Sequence, residues 1–126
     1  MLNSRCSTWV SLVFGFVGGL FVWIGWAACG GRGEIWDGAG LLYYIPLLML
    51  PGFVSALWCQ GAVEWWVTIG AFFGQATYTV YDWRTSGEVS NIWPLTLVAL
   101  FVTSLIAAGG ASIGKAVVRR RAHRPR

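Results

Sequence analysis

One otherwise apolar stretch, EWWVTIGAFFGQATYTVYD, carries polar side chains at a regular spacing: Glu64, Thr68, Gln75, Thr79 and Asp82. At 100° per residue they fall within about 60° of one another on a helix, with Ala71 in the same stripe. Trp66, Ile69, Phe73, Ala76 and Val80 take the opposite side. Two kinds of chemistry fit such a set. Aligned carboxylates, hydroxyls and an amide can replace water around an ion or small solute. The same groups can instead hydrogen-bond neighbouring helices where no water is at hand. Glu64 and Asp82 stand about 27 Å apart at 1.5 Å per residue, one near each mouth of a bilayer. Neither lies at mid-depth, which argues against a proton relay through a buried acid. Glu64 sits at the favourable end of the helix dipole and Asp82 at the unfavourable one, so Asp82 is expected to need a partner, Arg84 or Arg32.

The remaining chemical inventory is thin. His123 is the single histidine and lies in the tail; Cys6, Cys29 and Cys59 are isolated, without a C-x-x-C pair. No zinc pattern results, and free thiols are expected. The loop CGGRGEIWDGAG (29–40) has neither the fingerprint of a dinucleotide site nor a phosphate-loop lysine, so Arg32, Glu34 and Asp37 are read as solvated loop charges and Trp36 as dipping back to the interface. No cofactor, metal or enzymatic activity is expected.

Composition dictates what must position the stripe. Of 126 residues, 56% are hydrophobic and 11% charged, with nine tryptophans. A soluble domain carries roughly 25% charged residues, so this chain cannot clothe an aqueous surface. Charges are absent from 9–28, 41–59, 65–81 and 94–114, and about 20 apolar residues cross a bilayer. The expectation is an all-α polytopic membrane protein: a four-helix bundle in a single domain, with spans at about 9–28, 41–59, 62–82 and 94–117 and a basic tail at 118–126.

Small residues mark where helices would approach closely. Ser11, Gly15 and Gly19 share a face of the first span, Gly70 and Gly74 one of the third, and Gly110 and Gly114 one of the fourth, together with Ala99, Thr103 and Ala107. Three such faces exceed the evident needs of one small bundle. In the second span Pro51-Gly52 is expected to break the helix near mid-depth, where freed carbonyls could meet a cation. The short link at Gln60-Gly61 predicts that the second and third spans are direct antiparallel neighbours. Trp26-Ala27-Ala28-Cys29-Gly30 resembles a lipoprotein cleavage box, but Trp26 stands where an aliphatic residue is wanted, so the first span is read as retained.

Orientation follows from the basic residues. With four spans, Arg5, Lys115, Arg119, Arg120, Arg121, Arg124 and Arg126 share one side, against Arg32 and Arg84 on the other. Both termini are therefore expected in the cytoplasm, in a bacterial inner (plasma) membrane. Trp9, Trp26, Tyr43, Tyr44, Trp58, Trp65, Trp66, Tyr81, Trp83 and Trp93 are placed at the headgroup level. Arg119, Arg120 and Arg121 are expected to meet anionic lipid headgroups rather than nucleic acid. The functional expectation is a non-enzymatic interaction or accessory subunit that uses its small-residue faces toward other membrane proteins or copies of itself. The alternative is an oligomeric channel or transporter using the stripe of the third span. A lysis protein is a further reading of small size and a basic tail.

Overall fold

A computed structural model describes residues 3–30, 40–59, 61–87 and 93–123. The loop and tail charges Arg32, Glu34, Asp37, Arg124 and Arg126 lie outside these residues, as does Trp36. The secondary structure of the described residues is helical: α1 (Asn3–Ala28), α2 (Gly40–Trp58), α3 (Val63–Ser86) and α4 (Trp93–Ala122). Three segments are long and apolar enough to cross a membrane: Thr8–Ala28, Gly40–Trp58 and Pro94–Ala122. α3 has the length, 24 residues, but Glu64, Gln75, Asp82, Arg84 and its threonines leave it less apolar than the other three. It runs a turn beyond the expected 82 and stops at Gly87, whose left-handed φ of 72° lets its N–H return to the Trp83 carbonyl, 3.2 Å away.

The helices form a ring in the order α1, α3, α4, α2. α1 packs most extensively on α3 and α2 on α4; α3–α4 and α1–α2 contacts close the ring. α2 and α3 touch only slightly, so the short link joins helices across the diagonal rather than neighbours. The reason is steric. Backbone carbonyls of α3 come so close to Gly15 and Gly19 that a Cβ on either would overlap them, at Val67 and Ala71. Gly70 meets the Leu12 carbonyl and Gly74 the Phe16 carbonyl from the other side. Numbers rise together along both helices, so α1 and α3 run parallel. The second parallel pair repeats the device: Gly52 accepts the Ala107 carbonyl, Gly110 that of Met49, and Gly114 sits against Phe53 and Ala56. Glycine notches of this kind let backbones reach the distance at which dispersion is strongest, and the short link between α2 and α3 does not override two such seams.

Two sequence expectations change here. α2 is continuous through Pro46 and Pro51, so Pro51-Gly52 is not a break. Both residues are buried; the Pro51 ring fills the space over Gly18 of α1 while Gly52 receives α4, so neighbouring helices hold the turn that a lone proline would open. The small-residue faces are likewise consumed inside the bundle, leaving Gly109 as a helical glycine of α4 with open space around it.

Of the aromatics expected at the headgroup level, Trp9, Trp58, Trp65, Trp66 and Tyr81 face outward, while Trp26, Tyr43 and Trp83 are partly buried. Tyr44 does not. It is fully buried, and its place in the core introduces the site.

Candidate functional site

The polar stripe of α3 faces inward over most of its length. Thr68, Ala71, Gln75 and Thr79 are buried, Glu64 is partly buried, and Asp82 is exposed. Asp82 therefore departs from the inward set: it lies where α3 nears its C-terminal end, and a carboxylate there keeps its water. It makes no ion pair among the described residues, Arg84 included; Arg32, the other expected partner, lies outside them.

Gln75 is the centre of the arrangement. Its side chain is 0% exposed and is held by groups from each of the other helices. Its Oε1 accepts from the Tyr44 hydroxyl of α2 and from Trp23 Nε1 of α1, the latter at 3.3 Å. Its Nε2 donates to Ser104 Oγ of α4 at 2.8 Å. Tyr44 Oη also lies 2.8 Å from Thr103 Oγ1, and Trp23 is kept in place by stacking on Tyr78 at 5.8 Å. One amide thus ties four helices together, one turn from the level where Gly19, Ala71, Gly52 and Ala107 press backbone on backbone.

The threonines of the stripe turn their protons back on their own helix. Thr68 Oγ1 donates to the Glu64 carbonyl at 2.7 Å and Thr79 Oγ1 to the Gln75 carbonyl at 3.0 Å. This is the ordinary way a mid-helix threonine satisfies itself without water, and it leaves neither proton for a solute. Toward the other end, Ser55 Oγ of α2 donates to Ser11 Oγ of α1 at 2.9 Å, both fully buried. Ser11, read from the sequence as a packing residue, is also a hydrogen-bond acceptor.

At the end of the bundle where α3 begins and α4 runs out, Lys115 Nζ donates to Glu64 Oε2 at 2.5 Å and to the Gly61 carbonyl at 2.5 Å. This pair ties α3 to α4 where the chain leaves its apolar zone. Arg119, Arg120 and Arg121 follow on the last exposed turn of α4. Among the described residues no group of three or more histidine, cysteine or acidic side chains is placed to hold a metal, and Cys29 and Cys59 are free thiols, the first exposed and the second buried.

Chemically, the interior holds hydrogen-bonded polar contacts separated by a close-packed glycine–alanine layer; among the described residues, buried Trp26 Nε1 is left without a partner. Trp23, Tyr44, Thr103, Ser104 and Ser55 belong to this interior and were not singled out from the sequence as its members. Thr103-Ser104 was the available signal: adjacent hydroxyls deep in an apolar span need partners, and Gln75 is the one strong partner at comparable depth. Comparison with protein-family models, with curated proteins and with solved structures gives no match.

Proposed function

We propose that the chain is a small integral membrane protein that acts by contact, as a non-enzymatic interaction or accessory subunit of a bacterial inner membrane. In this reading α3 is the fourth crossing, its stripe turned inward, and both termini are cytoplasmic, as the seven-to-two distribution of basic residues favours. The observation that carries the reading is the state of Gln75. The deepest strongly polar side chain of the stripe is fully buried and engaged by Trp23, Tyr44 and Ser104. A pathway for solutes needs such groups free to replace hydration, whereas a protein that works through its outer surface needs a rigid interior. Hydrogen bonds of this kind contribute about 0.6–2 kcal/mol each between membrane helices.

The outward surface at membrane depth is apolar, and α4 offers the place for close approach. Gly109, Ser112 and Ala116 are exposed and lie within about 60° of one another on the helix. Gly109 has nothing near the position of a Cβ, so Gly109→Leu leaves the bundle intact while blocking a helix from seating there. The expected result is unchanged insertion and stability, with loss of the higher-order species seen by native electrophoresis of detergent-extracted membranes. If the wild-type chain migrates alone, or if Gly109→Leu changes nothing, contact through this face is wrong.

A further inference from the structure

The basic end of the bundle contains a crevice of 370 Å³ between the end of α2, the start of α3 and the last turns of α4. Ala56, Cys59, Gly61, Lys115, Val118 and Arg119 line it. Its two faces differ in chemistry. Ala56 and Val118 present hydrocarbon, while Lys115 and Arg119 bring two positive charges to one opening. Lys115 uses two of its three protons on Glu64 and Gly61; the third has no acceptor among the described residues. The Arg119 guanidinium, with five donors, makes no ion pair or hydrogen bond among them. With Glu64 counted against Lys115 and Arg119, the site keeps one net positive charge.

We propose that this crevice binds a single phosphate group, carried by an anionic phospholipid headgroup or present as the free ion. A phosphate has the acceptor oxygens that a guanidinium fork and a lysine proton together satisfy, and basic pockets between membrane helices on the cytoplasmic side suit anionic headgroups. The apolar wall of Ala56 and Val118 gives the glycerol and the first methylenes of a lipid a surface to lie on. Binding is therefore stoichiometric and local, unlike the diffuse attraction of a basic tail for a charged membrane. The lipid source rests on the membrane reading above; the phosphate chemistry does not.

Native mass spectrometry of the full chain in a non-ionic detergent tests the assignment, with phosphatidylglycerol, diacylglycerol and inorganic phosphate as separate probes. Retention of one equivalent of phosphatidylglycerol but not diacylglycerol is expected. Arg119→Gln weakens it about tenfold, the loss of one charge-assisted donor group, whereas Arg121→Gln, outside the crevice, changes it less than about twofold. Val118→Trp fills the crevice without altering charge and abolishes retention; its helical circular dichroism verifies the fold. Saturable binding of inorganic phosphate with the same dependence on Arg119, without retention of the lipid, assigns the site to the free ion. Equal losses in Arg119→Gln and Arg121→Gln, retention of diacylglycerol, or undiminished binding by Val118→Trp overturns the proposal. Alkaline carbonate extraction of membranes separates the two readings: release of the chain fails the membrane reading, while the phosphate arm still decides the crevice.

Discussion

Gln75 shows at the scale of a single residue how sequence pattern and structure divide the work. The helical period placed it on an inward stripe, and its position in the span made it, with Thr68, one of the two deepest polar groups there. Which groups would meet it was not legible, because Tyr44 and Trp23 are aromatics whose usual place near a membrane interface is the headgroup level, and only their register against α3 turns them inward. Lys115 was read only as one of the basic residues that set orientation, because its partner Glu64 lies 51 positions away and no local spacing announces the pair. Replacing Gln75 by Leu removes an acceptor shared by Tyr44 and Trp23 and a donor to Ser104, and leaves those groups in a dry interior. The expected outcome is a protein that inserts normally but unfolds about 1–3 kcal/mol more easily in mixed detergent–dodecylsulfate titrations. An unchanged midpoint would mean that the amide does not hold the helices.

Among the elements, the glycines decide which helices are neighbours. The small-residue faces of α1, α3 and α4 were visible as i, i+4 patterns, but a pattern on one helix does not name the helix that will occupy it. Chain adjacency suggested α2 beside α3; the matched notches Gly15, Gly19, Gly70 and Gly74 instead seat α1 on α3, and Gly52, Gly110 and Gly114 seat α2 on α4. Pro51 follows the same logic, since its tolerance depends on the Gly18 surface opposite, which a reading of α2 alone cannot see. Gly15→Leu places a branched side chain against the Val67 carbonyl and the Ala71 nitrogen, with no flexible neighbour to yield. Its expected cost is at least the 1–3 kcal/mol typical of overpacking, read as lost thermal stability of the purified chain. Gly109→Leu, on the open face, serves as the neutral control for stability. Equal melting of the two variants would contradict the assignment of α1–α3 as a close-packed seam.

For the whole molecule, the charge distribution and the closed interior together define what the protein is expected to do. The apolar runs made four helices legible from composition, yet α3 gives up apolarity in exchange for its buried hydrogen bonds, so its proposed crossing rests on the charge distribution rather than on hydropathy. The proposed four crossings would put both ends on one side. A reporter active only in the periplasm, fused after Arg126, is expected to be silent, and the same reporter inserted at Gly87 to be active; activity at Arg126 would remove α3 from the membrane. The central claim is that the polar stripe is a structural interior and not a conduit. Purified protein reconstituted in liposomes and assayed with a panel of ions and small solutes tests it most directly: leakage should equal that of empty liposomes, in the wild type and in Gln75→Leu alike. Flux above that background in the wild type, abolished by Gln75→Leu in protein still inserted and assembled, would contradict it.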